Sequence, residues 1–216
     1  MIVNLQHKFI HISIPRTATT CVNNTLGNTT HPEPHLHHMG ISEVKPLNNG
    51  IPIDITDFFK FTFVRNPFDR LVSLYCEFRK NRGHKYSGQI VYDKPLLSEF
   101  DTDSEIGSFK NFVNNLEKSP WINDLFFKPQ FNYININNKN VMNFIGKFEN
   151  LNEDWNKIKN KIGYPNSTLN IHHPLEPNGK LRGSHHKHYK EYYSKSEIKV
   201  VKRIYSKDLE YFNYEF

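Results

Sequence analysis

Phe61-Thr62-Phe63-Val64-Arg65-Asn66-Pro67-Phe68-Asp69-Arg70-Leu71-Val72-Ser73-Leu74-Tyr75 is the stretch from which the fold reads. Its first four residues are aromatic and β-branched, the composition of a short buried strand. Asn66 suits a helix N-cap, Pro67 the first helical position and Asp69 the first turn. From there Phe68, Leu71, Val72, Tyr75 and Arg79 follow a 3.6-residue stripe. The reading is strand, sharp turn, helix.

The same grammar occurs upstream. Residues 9–14, Phe-Ile-His-Ile-Ser-Ile, form a β-type run that Pro15 ends. Arg16-Thr17-Ala18-Thr19-Thr20 is a small-polar loop, residues 21–26 can be helical, and Gly27 stops them. Downstream, residues 141–145 are a third strand candidate. Asn150-Leu151-Asn152-Glu153 reads as a capping box opening a helix with Leu151, Trp155, Ile158 and Ile162 on one side. A helix is predicted over 108–117, stopped by Ser119-Pro120, and a last one after a second capping box, Ser194-Lys195-Ser196-Glu197. Residues 28–56 read as loops with one short helix near 41–44, and residues 83–105 and 163–188 as irregular excursions. Strands alternating with helices predict an α/β fold with a largely parallel sheet.

The chain has 216 residues, which fits a single domain spanning 1–216. Hydrophobic residues make up only 37%, but 17 Phe and 11 Tyr supply large apolar surfaces. Composition excludes collagen-like, coiled-coil and disulfide-scaffold classes. The net charge of +6 favours an anionic partner without choosing among nucleotide, sulfated sugar, nucleic acid and membrane. Cys21 and Cys76 form no metal-like pair. The first residues lack the charged and apolar segments of a signal peptide, and no apolar run approaches a membrane span of about 18 residues. The expectation is a soluble, cytoplasmic protein without a membrane span.

Three groups of residues could carry chemistry. The first is Pro15, Arg16, Thr17, Ala18, Thr19, Thr20 and Cys21, between a strand and a helix N-terminus, where amides and the helix dipole receive anions. No G-x-x-x-x-G-K-[ST] pattern is present, which disfavours standard ATP or GTP hydrolysis. The second is Arg65, at the carboxyl end of a strand, with the Ser73 hydroxyl eight residues on. A capping turn and a structural ion pair are the alternative readings of these two. The third is His35-Leu36-His37-His38. A histidine near pKa 6.5 can remove a hydroxyl proton, whereas exposed loop histidines are the plainer reading. His185, His186 and His188 could join a metal site, but no carboxylate or Cys spacing supports one. Trp121, Phe126, Phe127, Phe131 and Tyr133 flank Lys128-Pro129-Gln130 and read chiefly as core, with a glycan platform as the alternative.

Taken together, the motifs resemble the sulfotransferase family that uses 3′-phosphoadenosine 5′-phosphosulfate (PAPS), in particular its glycan O-sulfotransferases. Residues 9–20 are similar to the 5′-phosphosulfate loop F-I-H-I-P-K-T-A-G-T, with Ile12 and Ser13 inserted, Arg16 in place of Lys and Thr19 in place of Gly. Residues 61–75 resemble the 3′-phosphate motif F-V-R-N-P-[FYW]-D-R-L-V-S-x-Y. Residues 144–151 and the blocks 188–194, 204–208 and 214–216 are similar to later family segments.

The resemblance implies a P-loop-like three-layer fold, a central mainly parallel sheet flanked by helices, and sulfuryl transfer from PAPS to a hydroxyl, in particular of a carbohydrate, with no metal required. It implies that residues 16–20 hold the 5′ end, with the Thr17 and Thr20 hydroxyls. Arg65 and Ser73 would hold the 3′-phosphate, and Arg182 and Lys187 would form the basic loop near the nucleotide. Arg16 would stabilise the leaving group. His38 would be the base, with His37 second. The partners are then a nucleotide cofactor and a glycan or other hydroxyl acceptor, with no nucleic acid. Two rivals remain: a catalytically impaired member that binds polyanions or glycans, and a P-loop-like ATP-dependent kinase.

Overall fold

A computed structural model describes residues 1–27, 38–44, 47–48, 51–52, 54–79, 97–169 and 186–216. It divides into two compact units, Met1–Arg65 with Gln130–His173, and Asn66–Pro129 with Pro174–Phe216.

The first unit holds the sheet. Strands β1 (Ile2–Asn4) and β2 (Phe9–Ile12) are followed by helix α1 (Thr19–Leu26), then by the short strands β3 (Leu47–Asn48) and β4 (Ile51–Pro52), which pair with each other. Strand β5 (Phe59–Val64) closes this first stretch. The sheet order is β1-β2-β5-β8, where β8 is Phe144–Lys147. β2, β5 and β8 run parallel, with His11 beside Phe61 and Phe63 beside Gly146, and β1 adds an antiparallel edge. The fold is therefore α/β, with a central, mostly parallel sheet flanked by helices.

Phe61 and Phe63, two residues apart, share one face of β5. They form a core with Phe9, with Val22 and Leu26 of α1, and with Leu151, Trp155 and Ile158 of helix α5 (Leu151–Ile158). Gly146 is required at its position: a Cβ there would lie 2.5 Å from the Phe63 ring. The third strand begins at Phe144 instead of 141. The capping box expected at Asn150 does not form. A 3₁₀ turn over Phe148–Asn150 runs directly into α5, and the Lys147 amide donates to Asp154 Oδ2 at 2.7 Å instead.

Between the sheet segments lie the one-turn helix α4 (Phe131–Ile134) and a hairpin of β6 (Asn135–Ile136) and β7 (Lys139–Asn140). The hairpin's Asn137 and Asn138 both have positive φ, as a type I′ turn requires.

The second unit is helical. It contains α2 (Pro67–Arg79), α3 (Glu105–Asn115), α6 (Lys195–Ile204) and α7 (Ser206–Tyr211). Asn66 caps α2 as expected, its Oδ1 accepting from the Phe68 amide at 3.0 Å. The expected helix near 108–117 starts earlier, at Glu105, because Ser104 accepts from the Gly107 amide. The capping box at Ser194 and Glu197 forms. The core is aromatic: Phe68, Tyr75, Phe109, Phe112, Phe127, Tyr192, Tyr193 and Tyr205. Phe109 meets Tyr193 edge to face at 5.1 Å, and Tyr75 stacks on Phe112 at 5.5 Å.

α2 is buried well beyond its expected stripe, Arg70 and Ser73 included. Arg70 tolerates this because its guanidinium donates to the carbonyls of Phe126 (2.7 Å) and Lys128 (3.2 Å). The Tyr205 hydroxyl donates to the carbonyl between them, Phe127, at 2.7 Å. Trp121, Phe126 and Phe127 thus pack as core. In the first unit, Phe131 and Tyr133 are buried as well.

Candidate active site

β2 ends at Ile12, two residues before the expected boundary, and residues 13–18 form the loop that enters α1. Its backbone is unusual: Arg16 and Ala18 both take φ of 66°, the left-handed region that glycine favours. Ala18 is the N-cap of α1. Left-handed residues spaced in this way, followed by the first turn of a helix, arrange amides into a concavity suited to an anion. Thr19, at the usual Gly position, has no positive φ; the turn's demand falls on Arg16 and Ala18 instead.

Side chains hold the loop carbonyls. The Thr17 and Thr19 hydroxyls both donate to the Ile14 carbonyl, at 2.9 and 2.6 Å. Thr17 is buried, as is Pro15, and its hydroxyl proton serves the loop's own shape. Arg16, Ala18 and Thr19 are half-buried and Thr20 is exposed. Cys21 is half-buried in the first turn of α1, and burial pushes its thiol pKa up.

His38 meets this loop. Its Nδ1 lies 2.8 Å from the Ser13 carbonyl oxygen. A carbonyl can only accept, so Nδ1 carries the proton, and in the neutral ring the lone pair is on Nε2. Ser13 is also tied from behind: its hydroxyl and His11 Nδ1 both approach Asn23 Oδ1, at 3.4 and 3.0 Å. His11 is fully buried, stacked on Phe61 at 5.0 Å, and desolvation lowers its pKa to about 3.

Arg65 meets the loop from β5. It is 8% exposed, and its Nη1 donates to the Arg16 carbonyl at 3.3 Å. Its guanidinium carbon lies 4.2 Å above the centre of the Phe148 ring. The Arg65 amide donates to Gln130 Oε1 at 2.9 Å, and Gln130 Nε2 donates to the Arg65 carbonyl at 2.8 Å.

The first unit thus brings Arg16, Thr17, Thr19, His38 and Arg65 together. Ser73 and Lys187 belong to the second unit. Ser73 is fully buried on α2. Lys187 is exposed, with its carbonyl accepting from His186 Nδ1 at 2.7 Å. His37 and Arg182 lie outside the described residues. Gln130 and Phe148 belong to the site as well, and nothing in the sequence around them signals it. Among the described residues no group of three or more His, Cys, Asp or Glu side chains could hold a metal ion. Among them, too, no helix is long and apolar enough to cross a membrane.

The site is thus a strand-loop-helix turn at the end of a parallel sheet, met by the arginine that follows the neighbouring strand. The chain belongs to the sulfotransferase family, whose sequence model matches residues 1–215 and so spans both units. It is also 34% identical, over 105 residues, to an uncharacterized protein of Archaeoglobus fulgidus, covering 49% of this chain and 68% of that one. No solved structure matches it.

Proposed function

We propose that this sulfotransferase is a single-domain enzyme that moves a sulfuryl group from PAPS to a carbohydrate hydroxyl. The observation that supports this most is a convergence. Residues from three separated stretches, Arg16, His38 and Arg65, meet on one loop, with His38 on the Ser13 carbonyl and Arg65 on the Arg16 carbonyl.

The donor set fits the group. Amides at the start of α1 and the half-buried Arg16 suit the 5′-phosphosulfate. The buried guanidinium of Arg65 suits a phosphate dianion. By the family resemblance Ser73, Arg182 and Lys187 complete the nucleotide site. PAPS, when bound, supplies a sulfuryl group whose bond to the phosphate oxygen breaks as the acceptor oxygen bonds to sulfur.

The chain's own part is positioning and charge. Arg16 offers a permanent cation to the oxygen that gains negative charge. His38, held by its Nδ1–H on Ser13, presents Nε2 to the acceptor hydroxyl and takes its proton. No step in this assignment calls on a metal ion.

Calorimetric titration with 3′-phosphoadenosine 5′-phosphate, with ATP as the control, tests the nucleotide half. Micromolar binding of the first and little of the second is expected. Well-folded protein that ignores the first nucleotide sinks the proposal. Transfer of label from PAPS to a panel of glycans tests the acceptor half.

A further inference from the structure

We propose that Gln130 is a positioning residue that sets selectivity for the nucleotide's 3′-phosphate by fixing the backbone of Arg65. The inference rests on the assignment of Arg65 to that phosphate made above.

β5 pairs with β8 up to Val64, which lies beside Lys147, and strand β5 ends there. Arg65, the next residue, is buried, and its peptide groups require partners there. A primary amide is the one kind of side chain that copies a peptide unit, with one carbonyl acceptor and N–H donors on the same plane. Gln130 uses both on Arg65, accepting from its amide at 2.9 Å and donating to its carbonyl at 2.8 Å. The amide orientation is not ambiguous, because an N–H can only meet Oε1 and a carbonyl can only meet Nε2. Gln130 is itself 0% exposed.

A reciprocal pair on one residue fixes both its φ and its ψ, and with them the direction of its Cα–Cβ bond. From that bond the Arg65 side chain reaches the Phe148 ring and the Arg16 carbonyl. Phe148 restrains the plane of the guanidinium and Gln130 restrains its root. The two bonds of Gln130 described above are both to Arg65. Arg65 in turn holds the Arg16 carbonyl of that loop, so the loss of Gln130 should be felt at both ends of the nucleotide and most at the 3′-phosphate, where Arg65 itself makes the contact.

The test is the ratio of two affinities. Wild-type protein and Gln130→Met are titrated with 3′-phosphoadenosine 5′-phosphate and with adenosine 5′-phosphate, which lacks the 3′-phosphate. The expected result is that the variant's preference for the first over the second falls about tenfold or more, equivalent to 1.4 kcal/mol. A merely structural glutamine would weaken both nucleotides by the same factor and leave the preference unchanged, and that result overturns the proposal. Should Gln130→Met fail to fold, Gln130→Asn answers the same question. Its amide is one methylene short of the Arg65 peptide groups, and it adds no charge near the phosphate. If wild-type protein itself shows no preference for the 3′-phosphorylated nucleotide, the PAPS reading has failed and not the role of Gln130. Selective wild-type protein with an equally selective variant fails Gln130 alone.

Discussion

Lowering the pH from 7 to 5 should destabilise this protein through one buried imidazole. His11 is fully buried under α1 and against Phe61, and desolvation, with the positive chain terminus adding to it, lowers its pKa from 6.5 to about 3. The folded chain therefore refuses a proton that the unfolded chain accepts below pH 6.5. Stability from this source is complete above that value, falls as pH falls through it and levels off near pH 3. Between pH 7 and 5 the loss is about 2 kcal/mol, from 1.36 kcal/mol per unit over the roughly 1.5 units below the unfolded value.

Urea unfolding at both pH values reads it, with His11→Asn as the comparison. Asparagine keeps a donor for Asn23 and cannot titrate. The variant should be weaker at both pH values, having lost the ring contact to Phe61, but its loss between pH 7 and 5 should be smaller by about 2 kcal/mol. The buried amino group of Met1, lowered to about 5 by burial, loses stability in the same direction. Wild type and variant share it, so it cancels to first order. Equal losses in the two proteins would refute the reasoning. The consequence reaches the site, because His11 and Ser13 share Asn23, and Ser13 carries His38.

Arg65→Lys removes the fork that reaches the Arg16 carbonyl, and should weaken 3′-phosphoadenosine 5′-phosphate by about tenfold or more in calorimetry; wild-type affinity would reject the 3′-phosphate assignment. His38→Ala should cut sulfuryl transfer by about a hundredfold or more, well beyond the drop in nucleotide affinity that follows from releasing the Ser13 carbonyl. If His37→Ala alone does this, the base is the other histidine. Ala18→Gly should stabilise the fold by up to about 1 kcal/mol in urea unfolding, the left-handed cost at φ 66° less the extra freedom of unfolded glycine; a destabilised variant would contradict the assigned conformation.

The parts of the fold legible in the sequence are those written in local chemistry. Asn66-Pro67 and Ser194-Lys195-Ser196-Glu197 cap helices because every partner lies within four residues. Asn150-Leu151-Asn152-Glu153 has the same spelling but no bond from the Asn150 side chain, because the 3₁₀ turn over Phe148–Asn150 already orders the entry to α5. The β6–β7 hairpin was readable from Asn137-Asn138, a pair that tolerates left-handed backbone, but so short a strand pair gave no hydrophobic alternation to draw attention to it. β1, three residues long, had too little pattern to declare itself. Arg16, His38 and Arg65 could be named from the sequence, as the resemblance carried them. Gln130 carries no such signal, because its partner is backbone and a backbone partner leaves no trace in residue identity.

Arg16 stands where the family has lysine, and the surroundings say how that exchange can be accommodated. A carbonyl oxygen facing an anion repels it, so a phosphate or sulfate loop must turn its carbonyls away or engage them. Here the carbonyls of residues 13, 14 and 16 each accept from a side chain: His38, Thr17 with Thr19, and Arg65. Three acceptors are thereby removed from the anion's view, and the peptide planes that carry them are fixed. Because a trans peptide sets its N–H opposite its C=O, holding the Arg16 carbonyl on Arg65 also fixes where the Thr17 amide points. The left-handed turn at Arg16 is thus held from outside the loop, by the residue that follows β5, and does not depend on glycine or on the length of the side chain at position 16. Any cation there inherits the same backbone. It follows that Arg16→Lys should keep the 3′-phosphoadenosine 5′-phosphate affinity within about a factor of five while changing turnover, since a phosphate contact exchanged between the two cations differs by less than about 1 kcal/mol when the amides carry the anion. Loss of nucleotide binding in Arg16→Lys would mean that the guanidinium, and not the loop, is what holds the nucleotide.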